Sequence, residues 1–175
     1  MKRIILFLLL FTVSEVNGQN EFTAAAFYTD FKKIYEDAQA GFVQYKGDKK
    51  KGEFEELATE YKVKLLLPLA DSGKIVFPVS GNLPYVVYYF EPSRVRLKVD
   101  QRSMNLRDAV LTVFDQPLYS RTETTIINNH PFTNSLYFTD PAETRSAFAV
   151  FRMNIYFKDG KYNLAFEIRG KAQQL

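Results

Sequence analysis

The sequence predicts a mixed α+β fold, with one antiparallel sheet of about six to eight strands and two helices packed on one of its faces. Three observations support this prediction. Segments with alternating apolar residues are joined mostly by short turns, which favours antiparallel pairing over parallel crossovers. Two segments with helical spacing, one N-terminal and one central, separate the strands. The chain also contains a C-terminal β-hairpin, in which two long alternating segments are joined by Asp159-Gly160.

The first 18 residues are organised like a cleavable secretory signal peptide. Met1-Lys2-Arg3 is a short basic start, residues 4–13 are apolar apart from one threonine, and Val16-Asn17-Gly18 resembles a small-x-small cleavage site. The apolar run is about half of the roughly 20 residues that a membrane span requires. We therefore expect cleavage after Gly18 and a single periplasmic or secreted domain over residues 19–175.

Cysteine and charge limit the classes of partner. The chain has no cysteine, so we expect neither a lipid anchor nor a disulfide, although an exported protein meets an oxidising compartment. The formal charge of +3 includes Lys2 and Arg3, and about +1 remains without them. Nucleic-acid binding requires a clear basic excess, so we expect no nucleic-acid partner.

The first predicted helix spans Phe22 to Ala40 and is amphipathic. Gly41 follows in the position of a left-handed C-terminal cap, and Phe42 is expected to pack back on the last turn. Residues 46–56 are rich in lysine, glutamate and glycine and are predicted to form a solvated loop. The apolar stripe of the helix has the three-and-four spacing of Phe27, Phe31, Ile34 and Ala38.

Four strands are expected next, followed by a second helix. The strands are predicted at residues 61–67, 74–79, 85–90 and 95–99 from their alternating apolar residues. Ser103 or Asn105 is expected to cap the second helix, which Pro117 would limit.

The remaining residues predict four more strands. Residues 122–127 and 136–138 are weaker candidates around a loop that contains His130. Residues 147–157 and 162–168 form the C-terminal hairpin. The order of helix, strands, helix and strands suggests two similar halves. One face of the hairpin is apolar, and the other is polar, with Arg152, Asn154, Glu167 and Arg169.

Few residues are suited to catalysis. The chain has one histidine and no cysteine, so we expect no catalytic site, no metal site and no cofactor. An alternative hypothesis is a small exported hydrolase that uses His130 with Asp140 or Glu143. This hypothesis requires that the three side chains lie close together in a cleft.

Binding features are more numerous. Arg94, Arg96 and Lys98 alternate with Val95, Leu97 and Val99 of the fourth predicted strand, so they would share a face that suits an anionic group. Tyr85 and Tyr89 would supply an aromatic surface on a neighbouring strand. We therefore expect an exported, non-enzymatic domain that binds a partner protein or an amphiphilic or anionic ligand on its sheet. A structural envelope component with an exposed sheet edge or apolar patch is the further alternative.

Overall fold

The computed structural model describes residues 24–51, 56–79, 82–114, 116–145 and 149–171. The expected signal peptide lies outside the described residues. The elements follow in the order α1 (Ala24–Gln39), β1 (Lys46–Lys50), β2 (Ala58–Val63), β3 (Ala70–Pro78), β4 (Tyr85–Ser93), α2 (Arg96–Val113), β5 (Tyr119–Ile127), β6 (His130–Phe138), a 3-10 helix (Pro141–Arg145), β7 (Phe151–Lys158) and β8 (Lys161–Arg169).

All eight strands belong to one antiparallel sheet, which confirms the predicted fold class. Their order is β1-β2-β3-β4-β8-β7-β6-β5. Each half of the chain supplies a helix followed by four strands, and the last strand of each half, β4 or β8, meets the other at the centre of the sheet. The strand order of the second half is therefore the reverse of the first, as in two units related by an approximate two-fold axis.

Both helices pack on the same face of the sheet. α1 contributes Phe27, Phe31 and Ile34 to the core, and α2 contributes Val99, Leu106 and Val110. Within the described ranges, no helix is both long and apolar enough to cross a membrane. The strand residues that meet the helices include Ile75, Val86, Tyr88, Phe90, Phe151, Met153, Leu164, Phe166 and Ile168.

The end of α1 confirms the predicted cap. Gly41 has a φ of 81°, and its N–H donates to Ala38 O at 3.1 Å. The N–H of Phe42 donates to Asp37 O at 2.7 Å, which completes a Schellman motif, and the Phe42 ring is fully buried. The carboxylate of Asp37 also accepts hydrogen bonds from the N–H groups of Gln44 (2.7 Å) and Tyr45 (2.9 Å). One buried aspartate therefore fixes the path from α1 into β1.

The predicted strand over residues 95–99 is wrong, because α2 already begins at Arg96. Neither Ser103 nor Asn105 caps the helix, since both lie inside it. Alternation over five residues is too short to distinguish a strand from the first turn of a helix. The apolar residues that suggested alternation are not equivalent: Val99 is buried, whereas Leu97 is 73% exposed.

Other boundaries also differ from the predictions. Lys46–Lys50 is the edge strand β1 instead of a loop. His130 is the first residue of β6, directly after a two-residue turn at Asn128-Asn129 in which both φ angles are positive. At the C-terminal hairpin, Asp159 and Gly160 have φ angles of 52° and 74°, which confirms the predicted turn.

Candidate binding site

The sheet has a second face that neither helix covers, and we call it the open face. Side chains alternate between the two faces of each strand, so residues adjacent to core positions point to the open face. Both hydrophobic and charged groups occur there. Its central residues are Glu60, Lys74, Val76, Tyr85, Val87, Tyr89, Arg152, Asn154, Tyr156, Ala165, Glu167 and Arg169.

The middle of the open face is apolar and aromatic. Val76, Val87 and Ala165 are buried there, although no helix covers them, because tyrosine rings pack over them. Burial raises the pKa of the Tyr89 hydroxyl to about 12 and also raises that of Tyr85. Like any tyrosine, both are protonated at neutral pH and can donate hydrogen bonds. These are the two tyrosines that the sequence indicated as binding residues.

A charged cluster adjoins these tyrosines. Arg152 and Arg169, which we call the arginine pair, lie on either side of Glu167: Arg152 faces it across β7 and β8, and Arg169 lies two residues further along β8. Arg152 Nη1 is 3.6 Å from Glu167 Oε2, and Asn154 Nδ2 donates to Glu167 Oε1 at 3.1 Å. Both guanidinium groups interact electrostatically with the Glu167 carboxylate.

Partial burial affects the protonation of this cluster. Burial raises the pKa of the Glu167 carboxyl, and the two neighbouring arginines offset part of that effect. Burial and the charge of Arg152 lower the pKa of Arg169. Arg152 Nε is buried and has no hydrogen-bond partner among the described residues. A buried donor of this kind is costly unless a further acceptor reaches it.

The arginine pair forms one wall of a depression of about 450 Å³. Small-molecule sites in proteins usually measure roughly 300–1,000 Å³, so the volume suits a small ligand. The opposite wall is apolar and comes from β2, β3 and the segment before β4. The apolar lining consists of Leu57, Ala58, Val76, Pro78 and Leu83, and Asn82, Tyr85, Arg152, Glu167 and Arg169 supply the polar groups.

Two further ion pairs lie on the open face among the described residues, Lys74–Glu60 and Arg121–Glu123. Lys74 Nζ lies 2.5 Å from Glu60 Oε1, so one cation meets one anion. Each of these two pairs joins one cation to one anion.

The predicted basic stripe of Arg94, Arg96 and Lys98 does not form. Arg94 and Lys98 are exposed, Arg94 in the turn before α2 and Lys98 on the helix, where alternate residues diverge around the axis. Arg96 donates to Asp100 Oδ1 at 2.6 Å and to Thr133 Oγ1 at 3.0 Å. Its guanidinium also donates to the carbonyl of Pro131 and lies over the ring of Tyr162. Arg96 therefore fastens α2 to β6.

The residues of the hydrolase hypothesis do not converge. His130 is at the start of β6, and Asp140 and Glu143 follow its other end, so eight residues of extended strand, about 26 Å, separate the two sites. The His130 ring stacks on Phe157 with 3.6 Å between centroids. Asp140 Oδ1 accepts the N–H of Ala142 at the start of the 3-10 helix. The described part of the chain also contains no group of three or more possible metal ligands.

The sequence contained a signal for the arginine pair. Arg152 and Arg169 alternate with core residues in the C-terminal hairpin, which places them on the polar face of the sheet. Their proximity to the apolar residues of β2 and β3 depends on the β4–β8 pairing, which joins distant parts of the chain. The alternation of residues within a single strand does not indicate which distant strand will pair with it.

No protein-family model, no curated protein and no solved structure matches this chain.

Proposed function

We propose that this chain is an exported, non-enzymatic domain that binds an amphiphilic anion on the open face. The anionic group would lie against Arg152 and Arg169, and the apolar part would cover Leu57, Val76 and Leu83. The proposal is supported by one observation above all: Arg152 and Arg169 lie with Glu167 along one wall of a depression whose opposite wall is apolar.

Because one wall of the depression is charged and the other is apolar, it favours a ligand that has both a charged group and an apolar chain. Hydrogen bonds to a charged group contribute about 1.5–3 kcal/mol each. Each methylene group removed from water contributes about 0.8 kcal/mol. A small hydrophilic anion would gain only the first contribution, and an uncharged hydrocarbon only the second. A ligand with both groups uses the whole site.

Tyr85 has a supporting role in this proposal. It pairs directly with Arg169 across β4 and β8, and it lines the same depression. Its protonated hydroxyl is a hydrogen-bond donor next to the guanidinium group. Tyr89 lies four residues further along β4, beyond the residues that line the depression, and packs on the apolar cluster of Val76, Val87 and Ala165.

Replacing either member of the arginine pair by glutamine is expected to weaken anion binding. Arg152→Gln or Arg169→Gln removes one charge-assisted hydrogen bond, so the Kd for decyl sulfate should rise about tenfold or more. Isothermal titration calorimetry below the critical micelle concentration measures this change. Arg107→Gln is the matched control, because Arg107 is exposed on α2 and already pairs with Asp108.

Two comparisons make this experiment decisive. Decyltrimethylammonium has the same alkyl chain with the opposite charge, and we expect it to bind much more weakly. Inorganic sulfate lacks the chain and should also bind weakly. Equal affinity of the wild type and both arginine variants for decyl sulfate would contradict the proposal, as would equal affinity for the cationic amphiphile.

Glu167 is expected to make anion binding dependent on pH. Its carboxylate neutralises part of the arginine pair at neutral pH, and burial raises its pKa. As the pH falls through that raised pKa, Glu167 becomes neutral and the cluster gains positive charge, so affinity for decyl sulfate should increase. Glu167→Gln should bind tightly throughout and lose this dependence, while the sulfate ester remains ionised. A wild-type affinity that falls on acidification, while circular dichroism shows the fold intact, would contradict this assignment.

A further inference from the structure

The outer strand β5 is an exposed edge of unusual length. It has nine residues and pairs with β6 at every position from Tyr119 to Ile127 without a register shift. All of its side chains except that of Arg121 are exposed, and Ile126 is 70% exposed. A long, regular edge with free backbone groups is a template for another strand.

The opposite edge of the sheet lacks these properties. β1 has only five residues, three of which are lysines, and its register shifts between Lys46 and Lys49. Short length, lysines and irregular pairing are the features by which proteins block an edge strand. β5 contains no lysine, proline or glycine, and its sequence is rich in threonine and isoleucine. Of the two sheet edges, the edge at β1 is therefore blocked, whereas the edge at β5 can pair with another strand.

The turn between β5 and β6 determines which backbone groups of β5 point outward. Asn128 and Asn129 have φ angles of 50° and 63°, and Ile127 pairs with His130 on either side of them. In such a two-residue hairpin the flanking pair exchanges both backbone hydrogen bonds, and this alternates along the ladder. The odd-numbered residues of β5 therefore bond to β6. The N–H and C=O groups of the even-numbered residues point away from the sheet.

We propose that two copies of this chain pair through β5, antiparallel about a two-fold axis at Thr122, to form one continuous sheet. Thr122 would exchange backbone hydrogen bonds with Thr122 of the second copy, as its outward groups require. Within one chain Arg121 Nε already lies 3.0 Å from Glu123 Oε1. In the pair, Arg121 would also lie opposite Glu123 of the second copy, and Glu123 opposite the second copy's Arg121, so four charges of alternating sign would come together. These are non-hydrogen-bonded positions, where the side chains of the two strands are closest.

The rest of the strand fits the same register. Ser120 would face Thr124, and Tyr119 would face Thr125. Ile126 would be covered by Leu118 of the second copy, the residue just before β5, so that apolar meets apolar. A contact of this kind is isologous and closes after two copies.

Neighbouring registers are less favourable. An axis at Arg121 would place that arginine opposite itself, and an axis at Glu123 would do the same with two carboxylates. Like charges directly opposite each other destabilise a strand pair. An axis at Thr124 also uses outward backbone groups, but it would place Glu123 opposite Thr125 and Arg121 opposite Ile127, so neither charge would gain a partner. The axis at Thr122 both uses outward backbone groups and places opposite charges together.

Charge reversal tests this register directly. Glu123→Arg places arginines opposite arginines, and Arg121→Glu places carboxylates opposite carboxylates. We expect each variant alone to dissociate with a Kd about tenfold or more above that of the wild type. An equimolar mixture of the two variants restores Arg–Glu pairs at both positions, so a heterodimer should form. Sedimentation velocity over a concentration series measures each case.

Two further variants separate pairing from folding. Thr122→Pro removes an outward N–H without removing a bond to β6, so it should give a folded monomer, as judged by circular dichroism. Lys50→Glu changes the charge of the other edge and should leave association unchanged. A wild type that sediments as a monomer up to its solubility limit would overturn the proposal. So would variants that dimerise like the wild type, or a mixture that forms no heterodimer.

Discussion

Replacing Phe151 by alanine is expected to lower the free energy of unfolding by about 3–5 kcal/mol, the usual cost of removing a buried phenylalanine ring. Phe151 is 1% exposed. Its ring centroid lies 5.5 Å from that of Phe31 on α1, 5.0 Å from Phe114 after α2 and 6.0 Å from Phe166 on β8. The ring thus contacts both helical segments and the neighbouring strand, and surrounding side chains cannot fill the space without moving several elements.

Urea unfolding followed by circular dichroism measures this effect. Tyr28→Ala is the control, because it removes an aromatic ring that is half exposed on the same helix as Phe31. We expect that control to change the unfolding free energy by less than about 1 kcal/mol. A Phe151→Ala loss no larger than the control's would show that the cluster of rings does not hold the two layers together.

The second large effect is expected at Asp37. Asp37→Ala removes both oxygen acceptors and leaves the N–H groups of Gln44 and Tyr45 without their partners. Hydrogen bonds to a charged group are worth about 1.5–3 kcal/mol, so we expect a loss of about 3 kcal/mol or more. Asp37→Asn keeps one carbonyl oxygen and should lose roughly half as much.

The same unfolding experiment distinguishes this role from a general charge effect. Asp30→Ala removes a carboxylate from the same helix, and its ion pair among the described residues is with Lys33, whose side chain is exposed. Surface ion pairs contribute about 0–1 kcal/mol, so the control should be nearly neutral. Equal losses for Asp37→Ala and Asp30→Ala would contradict the assigned role of Asp37 as the anchor of the α1–β1 connection.

Local patterns were sufficient for the parts of the fold that depend on local physics. The cap at Gly41 and Phe42 and the turn at Asp159-Gly160 were predicted because each requires particular residues at fixed positions. The helical stripe of α1 was predicted because its apolar residues repeat over many turns. Each of these signals lies within about twenty residues of sequence.

The start of α2 and the arginine pair depend on contacts that such patterns do not report. Arg96 lies in a helix, and its partners Pro131 and Thr133 come from β6, more than thirty residues away. Arg152 and Arg169 appeared as part of a polar face, and the apolar wall opposite them is formed by β2 and β3. The polarity of the site could therefore be predicted, but its combination with an apolar surface required the sheet order.

That sheet order also has a consequence for how the chain folds. β8 is the last strand described, yet it lies between β4 and β7 at the centre of the sheet. It joins the halves by pairing Tyr85 with Arg169, two residues far apart in sequence, and such long-range contacts slow folding. The sheet cannot be completed until β8 is available, so β1–β4 and β5–β7 cannot join into one sheet without it.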